Sequence, residues 1–255
     1  MTYEDEINER IIMNGQDEIL KSSASAFLVA SVLPKYSYNF TWLGRPIIQY
    51  PQDMVAMQEL IWTIKPDLII ETGIAHGGSL IMNASMLALL DYCDAIDLGE
   101  VLDPNKPRRR VLGIDIEIRE HNRIAINEHP MSNRIDMIEG SSIDFEIIEK
   151  VKEISSNFNK ILVCLDSNHT HEHVLAELEA YAPLTSTGSY CVVFDTLIDD
   201  MPEDAYPDRP WGVGNNPKTA VKEYLKEHHE FKIDKNIDNK LLVSVASDGY
   251  LIKIS

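Results

Sequence analysis

Basic residues are scarce in this chain of 255 residues: 23 Lys+Arg stand against 41 Asp+Glu, a formal charge of −18. Phosphates would be repelled and few counterions released, so nucleic acid is excluded as a partner class. An anionic membrane surface is disfavoured for the same reason. Cysteine is also scarce. Cys93, Cys164 and Cys191 show no CxxC or zinc spacing, which excludes a disulfide framework and a thiolate zinc site. Cys164 and Cys191 fall inside apolar runs and read as buried reduced thiols. Long apolar runs are missing too. The longest uncharged stretch, Thr72 to Leu90, is broken by three Gly, a His, an Asn and several Ser/Thr, so it does not read as a membrane span. The N-terminus, MTYEDEINER, lacks the basic–apolar–small pattern of a secretion signal. There is no low-complexity tract and no repeat of 20–50 residues. With 44% hydrophobic residues the chain reads as a folded cytoplasmic protein.

What is present is an alternation of apolar runs and helical patterns. Residues 4–33 predict one or two helices, stopped by Pro34; a loop with Trp42-Leu-Gly-Arg-Pro follows, and Pro51 opens another helix with Asp53 as its cap. Residues 1–65 read as a helical segment that serves as an interface or lid, not as an independent domain. From Pro66 the pattern becomes strand–helix: DLIIETG, RRVLGIDIE, RIDMIEG, KILVCLDS and SYCVVFDT are strands, separated by helices. Strands apolar throughout need cover on both faces. Residues 66–255 therefore predict an α/β domain, a Rossmann-like, doubly wound, mostly parallel sheet. NKLLVSVA and GYLIKI, separated by SDG, predict a closing hairpin with an antiparallel C-terminal edge strand.

Ligands of such sheets bind beyond the carboxyl ends of the strands. Four predicted strands place an acid there: Glu71, Asp115, Asp166 and Asp195. Carboxylates gathered in one crevice repel one another unless a cation, an amine or a pair of sugar hydroxyls offsets them. The first βα turn, Glu71-Thr-Gly73-Ile-Ala-His-Gly77-Gly78-Ser79, brings backbone N–H groups close to a ligand. Its glycines are not spaced as in a pyrophosphate fingerprint, and an acid beside them suits an ammonium or sulfonium group. Asp115 suits ribose hydroxyls. The Gly140-Ser141-Ser142 turn suits an adenine edge or a helix cap. The Arg108–Arg110 run reads as a solvated loop.

Asp166 is followed by His169, His171 and His173. His171 and His173 read as polar residues of a helix start. His169, three residues after a strand-end acid, can return to the crevice as a general base. Asp166 and Asp195 on neighbouring strands offer oxygen ligands to Mg²⁺ or Ca²⁺. The acidic, Pro- and Gly-rich stretch after Asp195 reads as a lid anchored by Trp211, with Asp199 and Asp200 near enough to add a metal ligand.

The motifs LIIETGIAHGGS, GIDIEIR, EGSSID, LDSNHTHEHV and RPWGVGNNPKTAV resemble those of the class I S-adenosylmethionine-dependent methyltransferases. Among these the chain resembles the cephalosporin hydroxylase/rhamnosyl O-methyltransferase family, from about Trp42 to Ser255. The resemblance implies that Glu71, Gly73 and Gly78, in the turn with Gly77 and Ser79, border the methionine part of the cofactor, alongside Asp166. It implies Asp115 on the ribose and Gly140, Ser141 and Ser142 near the adenine. A more distant similarity to catechol O-methyltransferase-like enzymes implies a Mg²⁺ site at Asp166 and Asp195-Thr196, with His169 as the base. His169 stands where those enzymes have Lys, Thr196 where they have Asn, and Phe194 where cephalosporin-family members can have an acid. The expected function is metal-assisted O-methylation of a hydroxyl on a small molecule (a sugar, a glycosylated natural product or a phenol) by a homo-oligomer without nucleic acid or membrane. Two rivals remain: a non-catalytic S-adenosylmethionine-binding or assembly protein, and an oxygenase with iron on Asp166, His169 and His171.

Overall fold

An apolar strand buried on both faces must divide its side chains between two cores, and the central strands here do so. The computed structural model describes residues 2–255. In chain order the first elements are helices α1 (Tyr3–Gln16) and α2 (Glu18–Val32), a short hairpin of β1 (Phe40–Trp42) and β2 (Arg45–Ile47), and helix α3 (Pro51–Ile64). Strands β3 (Leu68–Thr72), β4 (Arg110–Asp115), β5 (Ile135–Glu139), β6 (Ile161–Leu165) and β7 (Tyr190–Val193) follow. They alternate with α4 (Gly78–Leu98), α5 (Glu120–Asn127), α6 (Phe145–Ser155) and α7 (His171–Tyr181). Helix α8 (Pro217–Tyr224), β8 (Phe231–Ile233), α9 (Lys235–Leu241) and β9 (Tyr250–Lys253) close the chain.

The seven-stranded sheet runs β5-β4-β3-β6-β7-β9-β8, parallel from β5 to β7 and antiparallel at β9 and β8. Ile69, Leu162 and Cys164 face a core shared with α3 and α4. Their neighbours Ile70, Val163 and Leu165 face the core shared with α6 and α7. The period-two alternation thus feeds two apolar layers, as a doubly wound sheet requires. The order reverses at β3, whose flanks are β4 and β6. The carboxyl ends of β3 and β6 therefore border the crevice where such sheets bind ligands.

The N-terminal segment belongs to the same core: Leu28, Tyr50 and Met57 pack in one cluster with Leu80 and Leu162. Helix α4 passes the length and hydropathy test for a membrane span, but more than half of its apolar window is buried in the protein. It runs on to Leu98, and Gly99 in the left-handed region ends it.

Four expectations are corrected. The stretch NKLLVSVA is not a strand. Its first residues end α9, and the partner of β9 on the open edge is β8, Phe231–Ile233, so no tight hairpin forms at SDG. Period-two apolar residues there serve instead as packing for α9 and the chain beyond it, where Leu241 and Val245 join the core. Asp53 does not cap α3. Tyr50 occupies that position, and Asp53 is buried one turn in, accepting from Ser244, Val245 N–H and Tyr250. The loop at Trp42 is a hairpin, closed by Leu43 and Gly44, both at positive φ. The arginine run is solvated only in part, with Arg108 exposed and the other two drawn inward. Arg109 is buried on Asp91 and Asp94, Arg110 pairs with Asp136, and Arg108 with Glu100.

Candidate active site

The carboxyl ends of β3, β6 and β7 open on a cleft of about 480 Å³, within the range of small-molecule sites. One wall is the β3–α4 turn, Gly73–His76 with Gly78 and Ser79. Gly73 is required there twice over. Its φ is 88°, and a Cβ would strike the carbonyl oxygen of Asp166. A Cβ at Gly78 would strike the carbonyl oxygen of Pro46, so the hairpin also sits directly against the start of α4. Gly77 is the left-handed residue before α4, whose first turn has no side-chain cap. Arg45 and Asn122 hold the carbonyls of His76 and Ala75, respectively.

The second wall is the end of β6 and β7. Asp166 follows Leu165, and Asp195 lies two residues past Val193, its register neighbour. Asp195 is in the left-handed region at φ 56°, a strained position that turns its carboxylate back across the strand ends. His169 lies before the start of α7, and its Nε2 is 3.1 Å from Asp195 Oδ2. Asp166, His169 and Asp195 each offer one ligand atom, all within 4.8 Å of one another. Two carboxylate oxygens at this spacing fit a divalent cation, and the imidazole stands close enough to both to serve as a base beside it. Burial pushes the Asp166 carboxyl well above the usual range, reinforced by Asp195 and Glu71. A cation there would reverse this, since opposite charge favours the ionised form.

The third wall is the segment after Asp195. Trp211 packs on His169 with ring centroids 4.7 Å apart, and the Arg209 guanidinium lies 5.1 Å over the same indole. Tyr206 and, from the N-terminal segment, Tyr38, Gln49 and Tyr50 complete the lining.

The four strand-end acids do not all reach this cleft. Glu71 points inward: Ser79 Oγ and Asn83 Nδ2 donate to its two oxygens, and burial pushes its carboxyl up to about 7. Asp115 accepts from the N–H groups of Ile74 and Ala75 and so braces the β3–α4 turn from behind. The Gly140–Ser142 turn lies past the end of β5, away from this cleft's lining. Ser142 is buried there, its hydroxyl 3.1 Å from His173 Nε2 and its carbonyl accepting from Tyr181. The expected convergence on one crevice thus reduces to Asp166 and Asp195, because side-chain alternation and local donors redirect the others.

Four expected ligands are withdrawn. Thr196 is fully buried and donates to the carbonyl of Ser247, facing away from Asp166. Asp199 accepts from Gly214 N–H, Asn216 and Lys222, and Asp200 pairs with Lys218. Both are spent on shaping the lid. His171 Nδ1 is 2.8 Å from Thr219 Oγ1 on α8, so it cannot complete an iron triad with Asp166 and His169. Conversely, Gln49, Tyr50 and Tyr206 carried no motif in the sequence. Their only signal is a Gln-Tyr-Pro start to a helix and an aromatic residue inside the lid.

Residues 34–254 match the family described as Rhamnosyl O-methyltransferase/CmcI. The rhamnosyl O-methyltransferase of Mycobacterium tuberculosis is 30% identical over 215 residues, covering 84% of this chain and 78% of that protein. The one of Mycobacterium leprae is 27% identical over 217 residues, covering 84% and 82%. Among solved structures, CmcI with Mg and SAM has a TM-score of 0.53 at 19% identity, covering 86% of this chain and 78% of that one. CmcI in its apo form gives the same TM-score at 18% identity, covering 86% and 77%. Those two likenesses are of fold.

Proposed function

The chain belongs to the rhamnosyl O-methyltransferase/CmcI family, and from that membership we propose that it methylates a hydroxyl of a sugar, using S-adenosylmethionine and a divalent cation, Mg²⁺ in the first instance. It is an S-adenosylmethionine-dependent O-methyltransferase, which sets aside the non-catalytic and oxygenase readings. The observation that carries the metal-assisted reading is the Asp166–His169–Asp195 cluster in a cleft whose opposite wall is a glycine-bearing βα turn.

When bound, the cofactor supplies a transferable methyl group and the cation supplies Lewis acidity toward the acceptor hydroxyl. The chain does the rest. Asp166 and Asp195 hold the cation. Asp195 Oδ2 also lies 3.1 Å from His169 Nε2 and orients the imidazole, which serves as the base for the hydroxyl proton. Trp211 packs against the imidazole at a tilt of 52°, restricts its rotation and screens it from water. Gly73, Gly78 and Ser79 border the methionine part of the cofactor, and the uncapped N–H groups of α4 suit its carboxylate. Asp115, through the turn it braces, and the Gly140–Ser142 turn serve its nucleoside. Tyr38, Tyr206 and Trp211 present ring faces and hydroxyls to the acceptor, a lining that suits a pyranose. Alignment of nucleophile and methyl carbon is then a matter of holding two ligands in one cleft.

Residues 1–65 act as part of this one unit, contributing Tyr38, Gln49 and Tyr50 to the cleft. Ile12, Met13 and Ile19, exposed on α1 and α2, suit contact with a second copy, and light scattering of the purified protein tests that. The acidic chain works without nucleic acid or a membrane, in the cytoplasm.

Transfer of radiolabelled methyl from S-adenosylmethionine to rhamnosides, other deoxyhexosides and phenols, with EDTA or with added Mg²⁺, tests the reading. The expected result is transfer to a sugar hydroxyl that needs the cation and is lost in Asp166→Ala. Cofactor binding with no transfer to any hydroxylated acceptor overturns it. Transfer untouched by EDTA and by Asp166→Ala removes the cation.

A further inference from the structure

Gln49 joins β2 to α3 and is only 6% exposed. Its Nε2 donates to Asp166 Oδ2 over 3.3 Å, and its Oε1 has no hydrogen-bond partner. The side chain separates the main cleft from a small inner pocket bounded by Glu71, Asn83 and Asp166, and it borders both. Leaving a buried amide oxygen unpaired forfeits a hydrogen bond, so something must fix the amide in this orientation. Asp166 does. With a cation bound, the Asp166 carboxylate would be ionised and could only accept, and turning the amide over would set Oε1 against Oδ2. The donor half of Gln49 is thereby committed to the acid, and the acceptor half is left buried and unpaired.

We propose that Gln49 is a positioning residue for the divalent-cation site: it occupies Asp166 Oδ2 and leaves Oδ1 as the oxygen offered to the cation. The inference rests on the metal-site reading given above. Hydrogen-bond partners of a ligating carboxylate set its direction and basicity, and their loss typically weakens metal binding 10- to 100-fold. Gln49 reaches Asp166 from outside the strand-end motifs, 117 residues away in sequence, and it gives the N-terminal segment a part in the chemistry beyond covering the cleft.

The test measures Mn²⁺ binding by the loss of the free-ion electron paramagnetic resonance signal, on the full-length protein without cofactor. Gln49→Met keeps length and volume and removes only the polar amide. Gln49→Ala removes the side chain and serves if the first variant does not fold. The expected result is Mn²⁺ affinity lowered about 10- to 100-fold, with an unfolding midpoint within a few degrees of wild type. Equal Mn²⁺ affinity in wild type and the folded variant overturns the inference and leaves the metal site standing. A wild type that binds no Mn²⁺ overturns the metal site and the inference together.

Discussion

His169 Nε2 lies 3.1 Å from Asp195 Oδ2, and Asp195 makes that contact from a left-handed backbone position at φ 56°. One carboxylate thus orients the base and borders the cation site. A conformation that an L-residue adopts at a cost is kept here because the next strand end and the lid leave the chain no other route.

If His169 and Asp195 act as a unit, their removal should not add. His169→Ala and Asp195→Asn should each lower turnover by about 100- to 10,000-fold, the range for loss of a general base or its orienting partner. The double variant should fall no further than the worse single one. Methyl transfer at saturating cofactor, acceptor and metal checks this. Fully multiplicative losses would mean that the two residues act separately.

Thr196 provides the opposite case. Its hydroxyl donates to the carbonyl of Ser247 and faces away from the cluster. Thr196→Val should therefore lower stability by about 1 kcal/mol, the worth of one buried hydrogen bond, and leave Mg²⁺ affinity within about twofold. Urea denaturation and calorimetry read the two effects independently. A large loss of metal affinity would restore Thr196 as a ligand.

Burial raises the Glu71 carboxyl to about 7, against the opposing donors Ser79 and Asn83. The folded state therefore binds a proton that the unfolded state releases at about 4.5, so stability is full below that pH and falls as pH rises toward 7. In Glu71→Gln, which cannot ionise, this fall should vanish. Relative to that variant, cofactor-free wild type should lose about 3 kcal/mol between pH 4.5 and 7. Denaturation curves of both proteins across that interval measure it. Parallel curves would show that Glu71 is ionised in the fold.

Asp199 has the reverse sign. Burial opposes its charge, but Asn216, Lys222 and the Gly214 N–H outweigh burial and hold it down at about 2. Its contribution is present above about pH 4 and fades as pH falls toward 2. Because Asp199 stands at the start of the lid and its partners Gly214, Asn216 and Lys222 at and beyond its end, Asp199→Ala should free residues 200–216. Chymotryptic cleavage after Trp211 should quicken about 10-fold at neutral pH. An unchanged nicking rate would assign the lid's order to other contacts.

Two kinds of signal survived from sequence to structure. The five central strands were legible because burial on both faces demands unbroken apolar runs, and the parallel order followed from their alternation with helices. The turn from Gly73 to Ser79 was legible because glycine is the residue that a crossing backbone requires. Where tertiary packing chose between equal local options, the reading failed. NKLLVSVA has a strand's composition, yet β9 found its outer partner in the three residues of β8, too short a run to stand out. Asp53 has a cap's chemistry, yet Tyr250 and Ser244, nearly 200 residues on, claim it.

The sequence by itself determined the parallel strands, the acids at their ends and the family to which these motifs belong, since each of these depends on periodicity or on a local run of residues. Only the tertiary structure decided which acids share a site. A carboxylate goes wherever the nearest donors are, and those donors come from other elements: Ser79 and Asn83 draw Glu71 inward, backbone N–H groups hold Asp115 behind the turn, and Lys222 and Asn216 take Asp199 into the lid. Asp166 and Asp195 are left with His169 and Gln49 around them, a grouping set by strand register and one left-handed residue.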